Sequence, residues 1–133
     1  MTDRTAGQVL KAYRSNLGRE GENLAVDFLK SIGFEVLERN YKYGRKDIDI
    51  ICRDGKTIVF VEVKVVRSRR FGTPLEKVND RKQQNISQVA KSFIQRNEPS
   101  GHDFRFDVIV IDVESGSRKI DHIRNAFMVK EHD

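Results

Sequence analysis

Asp49, Glu62 and Lys64 are the residues of this chain whose types and spacing ask for chemistry. They lie in two apolar stretches, Asp47-Ile48-Asp49-Ile50-Ile51 and Phe60-Val61-Glu62-Val63-Lys64, on either side of a turn signal at Arg53-Asp54-Gly55-Lys56. Packing alone gives no reason to place carboxylates and a lysine inside an apolar hairpin, since each charge loses its water there. A hard divalent cation does give a reason. Oxygen ligands select Mg2+ or Mn2+, and Mg2+ keeps several waters beside one or two carboxylates. Asp49 and Glu62 are the expected ligands, with the Val63 backbone carbonyl as a third. Such an ion polarises a phosphodiester and lowers the pKa of a nearby water. Lys64, two residues beyond Glu62, would orient or deprotonate that water or neutralise charge on the phosphate. Without the ion, carboxylates this close repel one another and their pKa values rise.

The constellation depends on strand register. A turn of two residues (Asp54-Gly55) or four (Arg53 to Lys56) places Asp47 across from Glu62 and Asp49 across from Phe60. Asp47, Asp49, Glu62 and Lys64 then share one face of the sheet. An odd turn without a bulge moves Asp49 to the other face.

Other residues join by their positions on helices. Leu24, Ala25, Phe28, Leu29 and Ile32 recur at helical spacing between Gly18 and Gly33, with Gly33 as a C-terminal cap. Glu22 falls at the edge of that apolar stripe, where it can reach the site through a water or a second ion. A second helix spans about 80–96, with Ile86, Val89, Ala90 and Phe93 inward. Lys82, one turn before Ile86, points toward the sheet near the helix N-terminus, a place suited to phosphate. Asp107, inside an apolar strand, needs a partner, either Arg105 or Lys82, and reads as structural support. Asp47, at the strand's entrance, is auxiliary. Taken singly, each residue also reads as an ion pair, a cap or a surface charge. Three acids and a lysine converging on one point favour a site.

Composition sets the frame. The chain has 133 residues, 38% hydrophobic and 34% charged, with a net charge of +5. That suits one soluble domain (residues 17–133) preceded by an arm or short helix at 1–16. No run reaches the roughly 20 apolar residues of a membrane span, and the N-terminus lacks the apolar core of a secretory signal. Cys52 is the sole cysteine. It excludes an intrachain disulfide and a cysteine-rich zinc site, so a cytoplasmic location is expected. Arg67, Arg69 and Arg70 cluster just past the Glu-x-Lys strand, which suits a nucleic-acid phosphate backbone and also reads as a solvated loop that keeps the protein soluble.

The order of elements sets the architecture. Strands are expected at about 34–38, 47–53, 57–65, 104–113 and 119–123, with a closing helix from Asn125. Ile48, Ile50 and Cys52 are assigned to one face of the second strand, and Ile51 to the other. A sheet apolar on both faces needs cover on both, which gives a three-layer α/β/α fold around a central mixed sheet.

An acid on a helix, then Asp, then Glu-x-Lys resembles the PD-(D/E)XK nuclease superfamily, which includes type II restriction enzymes and archaeal Holliday-junction resolvases. The chain more closely resembles the bacterial YraN-type family of endonuclease-like proteins. The segments that carry this are Gly18-Arg19-Glu20-Gly21-Glu22, Asp47 to Ile51, Phe60 to Lys64, Gly72, Val78 with Lys82, Arg105-Phe106-Asp107-Val108 and Asn125-Ala126-Phe127. Lys46-Asp47 stands where the family usually has Gly-Glu, and Val66 where it has arginine. The resemblance implies a restriction-endonuclease-like fold, Glu22, Asp49, Glu62 and Lys64 as active-site positions, and a Mg2+ or Mn2+ cofactor. It also implies DNA as partner, in branched or repair intermediates, with a homodimer as in the resolvases. No organic cofactor and no membrane partner are expected. The competing expectation is a nucleic-acid-binding or assembly module that keeps the fold without cutting.

Overall fold

The computed structural model describes residues 6–66, 79–97, 101–113 and 119–128, with side-chain detail from Gly18 onward. In chain order the elements are α1 (Ala6–Ser31), β1 (Glu35–Tyr43), β2 (Lys46–Asp54), β3 (Thr57–Val66), α2 (Asp80–Asn97), β4 (Asp103–Asp112) and β5 (Lys119–Phe127). The five strands form one sheet in the order β1-β2-β3-β4-β5. β1 to β3 make an antiparallel meander, α2 crosses over to bring β4 parallel to β3, and β5 returns antiparallel to β4.

Each face of the sheet has its own apolar layer. Ile51, Ile58, Phe60, Val108 and Val110 pack against Ile86, Val89, Ala90 and Phe93 of α2. Ile50, Cys52, Val59, Val61, Ile109 and Ile111 pack against Ala25, Val26 and Leu29 of α1. The α/β/α layering therefore follows from strands that are apolar on both sides. Among the described residues, no helix is long and apolar enough to cross a membrane.

Several boundaries differ from the sequence reading. α1 begins at Ala6, not Gly18, so the weak periodicity before Gly18 belongs to the same helix. β1 continues to Tyr43 and joins β2 through Gly44-Arg45, where Gly44 has φ 64°. Its outer half is polar because it is an edge strand, exposed on one side, and this hid it from pattern reading. The expected closing helix at Asn125 is instead the end of β5. Asn125 takes φ 53°, which bends the strand and breaks its alternation.

The β2–β3 turn is two residues long, Gly55-Lys56, with Asp54 paired to Thr57 and Ile51 to Phe60. The register thus lies two residues from the expected one, and the even parity holds. Gly55 sits at φ 59°, as a tight hairpin turn requires. The ladder ends at Ile50↔Val61. Ile48 does not share the face of Ile50: it packs with Ile51 on the α2 side. The strict alternation expected of β2 therefore breaks at Asp49.

Candidate active site

The cleft opens where β2 and β3 stop pairing. Its volume is about 440 Å³, and Gly18, Arg19, Glu22, Asp49, Val63, Lys64 and Val65 line it. Asp49 lies in the gap between the strands and not squarely on one face. Its Oδ2 accepts a hydrogen bond from the Val63 backbone N–H at 2.8 Å, which stands in for a ladder bond. This carboxylate is mostly buried, and its pKa is raised from 3.8 to about 7. Burial is the largest cause and the Glu62 charge the next, while the Val63 N–H pulls the other way. The expected mutual repulsion is thus visible at Asp49.

Glu62 is 5% exposed and faces α2. Its Oε1 lies 3.4 Å from Lys64 Nζ and 3.2 Å from Lys82 Nζ. Burial would lower the pKa of Lys82, but Glu62 and then Asp49 and Asp47 raise it above its ordinary value. A carboxylate this buried is tolerable because two ammonium groups share it. Lys82 reaches the sheet because its helix begins one turn earlier, where Asn79 Oδ1 accepts the Lys82 backbone N–H at 2.9 Å.

Glu22 comes from α1. Its Oε1 accepts hydrogen bonds from Arg39 Nε and Nη2, both at 3.2 Å, and from Asn40 Nδ2 at 2.9 Å. The helix can approach this closely because residue 21 is glycine: a Cβ there would lie 2.3 Å from Val65 Cγ2. Gly21→Ala is therefore expected to destabilise the protein. Helix propensity favours alanine by about 1 kcal/mol, but overpacking against a stiff β-branched side chain costs more, leaving a net loss of roughly 1–2 kcal/mol. The urea midpoint should fall accordingly.

The structure brings Glu22, Asp49, Val63 and Lys64 to one cleft, with Glu62 and Lys82 beneath it on the α2 side. Asp47 sits on β2 across from Lys42 and adds to the charge that raises Asp49. Among the described residues, no three His, Cys, Asp or Glu side chains lie close enough to form a metal cluster. Arg67, Arg69 and Arg70 lie outside the described residues. Asp107 is fully buried on the α1 face, paired with Arg105 and not with Lys82. Cys52 is a buried core residue whose thiol donates to the Val59 carbonyl and whose pKa burial pushes up to about 12.

Sequence reasoning missed Arg39 and Asn40, which lie beyond the strand expected at 34–38 but inside the observed β1. His122, which no spacing in the sequence singles out, meets Asp107 Oδ2 at 2.7 Å through Nε2.

A mixed five-stranded sheet covered by one helix on each face, with a polar cleft where two strands part, is consistent with a restriction-endonuclease-like fold. The comparison with known proteins is specific. The profile of the family described as "Uncharacterised protein family UPF0102" matches residues 21–111. A UPF0102 protein of Caldicellulosiruptor saccharolyticus is 42% identical over 116 residues, covering 86% of this chain and 98% of the relative. One from Caldicellulosiruptor bescii is 47% identical over 114 residues, 84% and 96% of the two chains. The chain belongs to the UPF0102 family, in agreement with the YraN-type resemblance.

Proposed function

We propose that the protein is a metal-dependent endonuclease that hydrolyses phosphodiester bonds in DNA, with branched or repair intermediates as the substrate class. The observation that carries this reading is Asp49: a mostly buried carboxylate, raised to about 7, beside Glu62 at the mouth of a cleft. The donor set fits a small hard cation, since Asp49, Glu62 and the Val63 carbonyl are all oxygen ligands and Mg2+ needs no more than two carboxylates. When bound, such an ion would polarise the scissile phosphate and acidify a water.

The remaining roles belong to the protein's own groups. The Val63 N–H fixes the orientation of the Asp49 carboxylate. Ion-paired with Glu62, the Lys64 ammonium serves as a donor to the phosphoryl oxygen. Lys82 balances the charge of Glu62 from the other side, and in this reading it would also meet a phosphate of the strand. Arg67, Arg69 and Arg70, which follow β3 in the sequence, would add positive charge for the phosphate backbone.

The second reading is a nucleic-acid-binding module without turnover. It draws on the same pairings: Glu62 is already balanced by two lysines, and Glu22 is held by Arg39 and Asn40. Incubating the chain with labelled branched, duplex and single-stranded DNA in Mg2+, Mn2+ or EDTA separates the two. Cleavage in metal and none in EDTA is expected. Lys64→Ala should lower the rate by about 10²–10³ while DNA binding persists. Binding without cleavage in either metal, with Glu62→Ala binding as wild type does, would sink the nuclease reading.

A further inference from the structure

We infer that Arg39 and Asn40 are positioning residues, and that one left-handed residue in β1 aims both Glu22 and Asp49 at the cleft. The inference rests on the nuclease reading above. Successive side chains of a strand point to opposite faces, yet Arg39 and Asn40 both reach Glu22 Oε1. Asn40 allows this through φ 51°, a conformation that asparagine tolerates far better than most residues. The same kink is felt across the ladder. Arg39↔Ile50 and Tyr41↔Ile48 pair on either side of it, and there the side chains of β2 change faces, Ile50 toward α1 and Ile48 toward α2. Asp49 lies at that crossover and so projects into the gap where Val63 N–H meets it.

Arg39 contributes little through stability. Its side chain is 42% exposed, and exposed ion pairs are worth little. Its geometry is what counts. Nε and Nη2 both address one oxygen of Glu22, and Nη2 also donates to Asn23 Oδ1 at 2.6 Å, so the guanidinium is itself fixed to the helix that carries Glu22. This arrangement holds the carboxylate at the cleft wall instead of leaving it to swing into solvent.

The test is a double-mutant cycle in the full chain, read by Mn2+ binding through water-proton relaxation and, separately, by cleavage of labelled DNA. Arg39→Met and Glu22→Gln should each weaken Mn2+ binding about tenfold, and the double variant should be no weaker than either alone. Arg39→Lys should restore part of the loss, because an ammonium cannot offer the two-nitrogen fork. Asn40→Gly keeps the left-handed backbone and loses one hydrogen bond, so a loss of about fivefold is expected. Asn40→Ala loses the backbone fit as well and should bind more weakly than Asn40→Gly. Additive losses in the cycle, or an Arg39→Met chain that binds Mn2+ and cuts as wild type does, overturn the positioning role and leave the nuclease reading standing. A wild-type chain that binds no Mn2+ overturns the nuclease reading, and this assignment with it.

Discussion

Asp49→Asn is expected to make the protein more stable and inactive at once. The Asp49 carboxylate has a pKa of about 7 in the folded chain against an ordinary 3.8, through burial first and the Glu62 charge second. A folded-state pKa above the unfolded value means that the stabilising contribution is complete below about pH 3.8 and is lost as pH rises through 7. Above pH 7 the native state therefore carries an ionised carboxylate that costs it stability relative to the unfolded chain. Asparagine has the same shape, keeps an oxygen for the Val63 N–H, and never ionises. At pH 8 the variant should gain on the order of 1–3 kcal/mol, and at pH 4 almost nothing. Thermal melts at the two pH values in EDTA measure this directly. A variant that gains nothing at pH 8 would mean that Asp49 is not held against its preference. Mn2+ should reverse the order, raising the melting temperature of the wild type and not of the variant, because a ligand stabilises only the form that binds it. Cleavage should fall by about 10³ or more, the loss of several kcal/mol of transition-state stabilisation. The opposed changes in stability and activity are what distinguish a functional carboxylate from a structural one.

The sequence was informative where one rule governed, and misleading where two competed. The β2–β3 hairpin was legible because alternating apolar residues and an Asp-Gly turn signal agree, and the even parity followed. The register missed by two residues because Asp54-Gly55 and Gly55-Lys56 are both two-residue turns. Only the strand ladder, with Asp54 opposite Thr57, decides between them. Lys82 was correctly aimed at the sheet by helix arithmetic. That it would bridge to Glu62 needs the distance between α2 and β3, which no spacing encodes. Ile48 was assigned to the wrong face because period-two reasoning assumes an unbroken strand. The break lies opposite Asn40, a residue in the neighbouring strand with φ 51°. The same blind spot hid β1 beyond Glu38 and the end of β5; Asn40 and Asn125 are the two non-glycine residues with positive φ among the described residues. Where a strand turns left-handed, periodicity ends before the strand does.

Asp107→Ala is expected to cost roughly 3–5 kcal/mol, the penalty for removing one partner of a buried ion pair. Asp107 is fully buried and gathers four donors: Arg105 Nε and Nη2 at 2.8 and 3.0 Å, His122 Nε2 at 2.7 Å and the Asn125 N–H at 3.0 Å. Alanine leaves an arginine side chain, an imidazole and a backbone N–H facing an empty methyl-sized site. Against a total stability of about 5–15 kcal/mol for an ordinary domain, that is a large fraction. The network also joins elements distant in sequence. β4 supplies Asp107 and Arg105, and β5 supplies His122, which packs edge-on against Phe28 of α1 and against Phe34. Losing it should therefore loosen β5 and the end of α1 together, seen as faster amide exchange in both. The pH dependence has the opposite sign to that of Asp49. Burial would raise the pKa of Asp107, but His122, Arg105 and the Asn125 N–H hold it below 3.8. Its contribution is thus complete above the unfolded value and is lost as pH falls through the lower folded one. Urea midpoints between pH 3 and 6 should show an acid-side decline in the wild type that Asp107→Asn flattens. Asparagine should cost less than alanine because it keeps the shape and some of the hydrogen bonds. If Asp107 is structural, either variant, assayed cold enough to remain folded, should bind DNA and Mn2+ as the wild type does. Weaker Mn2+ binding at full folding would move Asp107 from the scaffold into the site.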